Sequence, residues 1–158
     1  METDSPAPDH DPDLARFFDA VVALSADRHT RGPEAFLGTL DDLEQTFRDL
    51  RRYRTEKILR ERLEAFVVRR FELVDEAEEY ALACDETLVL SMALGDAAWL
   101  SAPALKRAVD RASHVLTAPG VAPLFGQLLK RLRQLARKHA DAELEAWVRG
   151  VASALPGD

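Results

Sequence analysis

LRERLEAFVVRRFELVDEAEEYALAC, residues Leu59 to Cys84, carries the most regular apolar spacing in the chain. Leu59, Leu63, Phe66, Arg70, Leu73, Ala77, Tyr80 and Cys84 follow at steps of four and three, the repeat that holds one stripe of an α-helix against a neighbour. The spacing predicts a single helix over residues 56–84, about 40 Å long at 1.5 Å per residue, with a bundle arranged around it. Only Arg70 interrupts the seam. A guanidinium there cannot lie unpaired in a dry core. It either lifts its head into water along an apolar stem, the leading expectation, or pairs with a carboxylate of a neighbouring helix, or faces a partner chain across an open seam.

Upstream, Pro33 opens a helix in which Phe36, Leu40, Leu43, Phe47 and Leu50 form an earlier stripe. On one continuous helix this stripe and the set Leu59, Leu63 and Phe66 point roughly 150° apart. The chain is therefore expected to bend near Arg54, with Thr55 free to cap a new helix; a straight helix serving two opposite partners is the alternative.

Charge is laid out in signed blocks across the same region. Residues 48–70 hold nine Arg or Lys against four Asp or Glu, and residues 71–105 hold eight acidic residues and no basic one. On a single long helix that order opposes the helix dipole. Within the basic block, Arg52, Glu56, Arg60 and Glu64 stand four apart, as do Lys57 and Glu61, so the reading here is an ion-paired, solvated face. Lys130 to Lys138 is the better candidate for nucleic acid, with five cations and no acid, although no aromatic residue is interleaved for base stacking.

Outside this centre the signals stay helical, with 25 Ala and 23 Leu and no sustained period-two alternation. Asp11 and Pro12 supply a cap and first-turn proline for a helix buried through Leu14, Phe17, Phe18, Val21 and Leu24. Asp85 to Leu94 reads as a short helix stopped by Gly95, and Ser101 with Pro103 starts another. Val121 to Lys138 follows the turn TAPG, with Lys130, Arg133 and Arg137 opposite its apolar face. Asp141 caps a last helix that ends at PGD. The fold class is all-α: one irregular bundle of six or seven helices over residues 11–158, preceded by an acidic, Pro-rich tail at residues 1–10.

Composition narrows the function classes. The chain has 158 residues, enough for one domain with a self-sufficient core, and a net charge of -7. Its 17 Arg against 4 Lys, with no Asn and one Ile, reflect a GC-rich codon bias more than guanidinium chemistry. One cysteine, Cys84, allows no internal disulfide and is read as buried packing. The start METDSPAPDH is acidic where a signal peptide would be basic and then apolar, and Leu88 to Leu100 is too short to span a bilayer, so the expected setting is the cytoplasm, away from the membrane. Glu72, Asp75, Glu76 and Glu79 are expected on one helix face, but no histidine joins them as in di-iron bundles, and His10, His29, His114 and His139 form no evident site. No nucleophile motif or phosphate loop is present. The expectation is a non-catalytic protein with no cofactor or metal, an interaction or regulatory module of adaptor type whose partner is another protein or a second copy. Its candidate contact residues are Glu72, Asp75, Glu76, Glu79, Arg70, Lys130, Arg133 and Arg137. A nucleic-acid binder using residues 130–138 is the runner-up, and an enzyme or small-ligand carrier with a pocket inside the bundle follows.

Overall fold

Asp11 starts the first helix as its spacing from Pro12 and Leu14 dictates: its Oδ1 accepts the Leu14 N–H at 3.1 Å, and Pro12 fills a first-turn position where an N–H would be unpaired. The structure, a computed structural model, describes residues 11–28, 30–72, 74–115 and 121–154. Among them are seven α-helices and no strand: α1 (Pro12–Asp27), α2 (Pro33–Arg51), α3 (Glu56–Glu72), α4 (Ala77–Ala93), α5 (Ala102–Ala112), α6 (Ala122–Lys138) and α7 (Ala142–Ala154). The all-α class is as the periodicity indicates. The tail, the turn TAPG, the closing PGD, Leu73, His10 and His29 lie outside the described residues.

The chain breaks where the apolar phase changes. Helix α2 ends at Arg51 and α3 begins at Glu56, with the Thr55 hydroxyl accepting the Ile58 N–H at 3.2 Å. Arg54 locks the corner by a two-pronged pair with Asp11, 2.7 Å at each contact, and donates to the Leu50 carbonyl at 2.9 Å.

The single helix over residues 56–84 is not formed, and this corrects the expected centre of the bundle. Helix α3 ends at Glu72 and α4 starts at Ala77, although the four-and-three spacing runs straight through. The charges explain the break. Splitting the segment puts Arg69 and Arg70 in the last turn of α3 and Glu78 and Glu79 in the first turn of α4, so both helix dipoles meet the charge they favour. Glu79 Oε1 also accepts the Asp75 and Glu76 N–H groups at 3.0 and 3.1 Å, satisfying donors just ahead of α4.

Helix α4 is the true centre, touching α1, α2, α3, α5 and α6, and every residue from Ala83 to Leu90 is buried. It is one helix, not the short Asp85 to Leu94 segment expected. Its apolar positions join the side chains of the other helices in a core that includes Phe17, Phe47, Leu63, Leu105, Phe125 and Leu132. Each such side chain contributes about 1.5–3 kcal/mol by leaving water. The buried carboxylates of α4 are all paired: Asp85 accepts Ser25 Oγ and Arg28 Nη1, both at 2.6 Å, and Glu86 takes Arg70 Nε and Nη2 at 2.6 and 2.8 Å. Arg70 thus pairs rather than standing free in water, although its own side chain is 37% exposed against 2% for Glu86.

Candidate functional site: the groove around Trp99

The segment after α4 places a tryptophan at the surface. Gly95 turns the chain with φ +59°, a conformation that L side chains resist, and an added Cβ would collide with the Glu44 side chain. A 3₁₀ stretch, Gly95–Ser101, follows, burying Ala97, Ala98, Leu100 and Ser101 while leaving Asp96 exposed and Trp99 half-buried. The stretch is tied inward through Ser101 Oγ, which donates to Ala98 O at 2.6 Å and meets Ser91 Oγ at 3.1 Å.

Two basic segments distant in sequence converge on the indole. The guanidinium carbons of Arg60 and Arg51 lie 5.1 and 5.9 Å from the Trp99 ring, within cation–π range, and the His139 ring centroid is 6.1 Å away. Arg131, Gln134 and Lys138 line a small pocket together with Trp99, so the Lys130 to Lys138 segment has an aromatic neighbour supplied by another part of the chain. Trp99 lines a groove of about 860 Å³ between α3, α5 and the α6–α7 corner. Arg60 and Glu64 line it from α3, Lys106, Arg107 and Asp110 from α5, and Asp141 and Glu143 from the start of α7. Arg107 Nε donates to Glu64 at 2.6 Å, which raises the Arg107 pKa, and Lys106 Nζ lies 5.1 Å from the Trp147 ring. Asp141 Oδ1 accepts the Leu144 N–H at 3.0 Å, the cap expected from its position. At the corner Ala140 adopts φ 52° and Asp141 N reaches back to Ala136 O at 2.8 Å, a helix end usually left to glycine.

Most residues singled out from the sequence stand elsewhere. Glu72, Asp75, Glu76 and Glu79 do not share a helix face: they straddle the α3–α4 junction, all exposed, and Glu79 acts as a local cap. That cap lowers the Glu79 pKa. Arg70 is engaged with Glu86, and Arg137 donates to Glu145 of α7 at 3.3 Å. Lys130 and Arg133 remain exposed on α6 without an ion-pair partner among the described residues. The ladder of i to i+4 pairs is also absent among the described residues, since the break removes Arg52 from Glu56, and Arg60 and Glu64 turn instead to Trp99 and Arg107.

The chemistry on offer is contact chemistry: an indole, guanidinium groups around it, and carboxylates of which Glu64 is paired and Asp141 is a cap. Among the described residues no three His, Cys, Asp or Glu side chains are grouped to hold a metal, and no helix is long and apolar enough to cross a membrane. Cys84 is buried, and loss of water with Asp85 beside it pushes its thiol pKa up to about 12, so it stays protonated at neutral pH. Trp99 escaped the sequence reading because it sits in the apolar run Leu88 to Leu100 and reads as core. Comparison with protein-family models, with curated proteins and with solved structures returns no match for this chain.

Proposed function

We propose that the protein is a non-catalytic interaction module, regulatory or adaptor in type, that receives a segment of a partner protein in the groove beside Trp99. The observation that carries this reading is the half-buried indole with Arg51 and Arg60 over its ring, lining a mixed-charge groove. Tryptophan and arginine dominate the binding energy of protein interfaces, because each offers a large rigid face and directional polar contacts. The groove's size lies in the range that accepts a few side chains. Its mixed charge suits a peptide, whose own backbone dipoles and side chains can answer both signs.

Affinity capture from the native host, followed by reconstitution with the purified partner, tests this reading. Arg51→Glu and Arg60→Glu alter exposed groups and should leave the fold intact while weakening the purified complex at least tenfold. Equal affinity for wild type and both variants would move the interface elsewhere. A second reading, nucleic-acid binding, is favoured by the meeting of the two basic segments at an aromatic ring. It predicts a mobility shift with generic DNA or RNA that falls steeply with salt.

A further inference from the structure

Arg131, Gln134 and Lys138 stand at i, i+3 and i+7 on α6, so they project from one flank of the helix. Arg131 is also three residues beyond Leu128 and four before Leu135, which sets its stem at the edge of the core. Together with Trp99, Gly95, Asp96 and His139 these groups line a second, smaller pocket of about 130 Å³. Trp99, Leu135 and His139 line both, so the two adjoin.

The guanidinium of Arg131 is half-buried, yet its bonds go to neutral acceptors: Nε donates to Ser91 Oγ at 2.9 Å and Nη2 to Ser91 O at 3.4 Å. No carboxylate among the described residues pairs with it, and burial lowers its pKa. Arg28, Arg54 and Arg70, also partly buried, each meet an acid, whereas Arg131, like the partly buried Arg62, has no ion-pair partner among the described residues. A guanidinium has five N–H donors, and Ser91 engages two of Arg131's. The exposed Lys138 adds a second positive charge to the pocket, and Asp96, exposed on its wall, makes no ion pair with either.

We infer that this small pocket is the receptor for one oxyanion, the carboxylate of an acidic side chain on a partner segment that continues past Trp99 into the larger groove. The inference rests on the groove being a docking site and names the chemistry it selects. A planar guanidinium fork matches a carboxylate in two parallel bonds, strongest where water is partly excluded. The pocket is well below the roughly 300 Å³ of a small-molecule site, so it admits a functional group and not a whole ligand. Charge favours a single acid over a polyanion: in the larger groove Glu64, Asp110, Asp141 and Glu143 offset Arg60, Lys106 and Arg107 and would repel successive phosphates, whereas one acid in the small pocket meets Arg131 and Lys138 against Asp96 alone.

The test uses the full chain, ¹⁵N-labelled, with side-chain signals of Arg131 Nε–H and Trp99 Nε1–H followed by NMR. The probes are acetate, a capped Lys-Leu-Glu-Leu-Lys peptide, its Gln counterpart, and a short oligothymidylate. Acetate should shift both signals saturably where chloride at equal ionic strength does not, and the Glu peptide should bind roughly tenfold or more tightly than the Gln peptide. Arg131→Met should abolish the Trp99 response, and the exposed change Lys138→Glu should weaken it several-fold without touching the core. No saturable shift, or a Trp99 response unchanged in both variants, overturns the pocket. Oligothymidylate binding more tightly than the Glu peptide overturns the assignment to an acidic peptide. If acetate is silent while Arg51→Glu and Arg60→Glu still weaken the partner complex, the oxyanion pocket fails and the groove stands; the reverse result separates them the other way.

Discussion

The α2–α3 corner and the α3–α4 junction are both short interruptions of helix, and they are built on different physics. At the first, the apolar stripe changes direction between Leu50 and Leu59, and a long-range pair, Arg54 with Asp11, pins the corner to the start of α1. At the second, the apolar spacing does not slip at all. The break is held by local bonds from Glu79 and by charges that suit two helix ends, Arg69 and Arg70 before it and Glu78 and Glu79 after it. Burial phase and end electrostatics are therefore independent determinants of where a helix stops. A perfect seam does not guarantee a continuous helix when the charges along it oppose its dipole.

If the α3–α4 junction needs a cross-link to compensate for its locally made break, the pair Arg70–Glu86 is that cross-link, and removing it should have the largest effect. Arg70→Leu strands the buried Glu86 and should cost about 3 kcal/mol in urea unfolding. The double change with Glu86→Leu should recover most of the loss, since no buried charge is then left alone. A small cost for Arg70→Leu alone would mean that water reaches Glu86 and that the junction is held by its caps.

The corresponding bond at the first corner is titratable. Arg54 holds the Asp11 carboxyl down to about 2 from an ordinary 3.8. The folded pKa is the depressed one, so the stabilisation is fully present above about pH 4 and is lost as pH falls through about 2. It amounts to about 2 kcal/mol at most. Asp11→Asn keeps a capping side chain while removing the charge, and should flatten the stability profile between those pH values. An unchanged acid limb would show that the corner is held by the Thr55 cap and the core alone.

These contrasts also explain what could be read from the residues. The caps Asp11, Thr55 and Asp141 and the Arg54 break were legible because each rests on nearest-neighbour geometry or on the phase of a stripe. The α3–α4 break was visible only as a contradiction, a charge order opposing the dipole of the helix that the spacing implied. Phe66 and Phe71 record the same ambiguity, since α3 buries Leu59, Leu63, Val67 and Phe71 at steps of four while Phe66 is half-buried, stacked on Phe18 at 4.5 Å. The groove was beyond local reading. Trp99, Arg60 and His139 lie in three separate segments, and only packing around α4 brings them together.

The caps provide the finer comparison. Thr55→Ala removes the hydroxyl that accepts the Ile58 N–H and should cost about 1 kcal/mol, with no change at α4. A much larger loss would indicate that Arg54 cannot reach Asp11 once α3 frays, coupling cap and pair in a way that a double-mutant cycle with Asp11→Asn would measure.

The smallest effect is expected at Glu79, and it is the one that bears on the second junction itself. The side chain is exposed, and its two backbone bonds hold its pKa below the usual glutamate value. The contribution is present above the ordinary glutamate range and fades as pH falls below it. Glu79→Gln keeps an oxygen acceptor and should leave the junction nearly unchanged, whereas Glu79→Ala frees the Asp75 and Glu76 amides. Hydrogen exchange at those two amides should then accelerate in the alanine variant, while exchange in the buried span Ala83 to Leu90 stays as in the wild type. Slower exchange at Asp75 and Glu76 in the alanine variant would mean that α3 and α4 had fused into the continuous helix that the apolar spacing favours. In that case the acidic cap, rather than the core, would be what keeps the two helices apart.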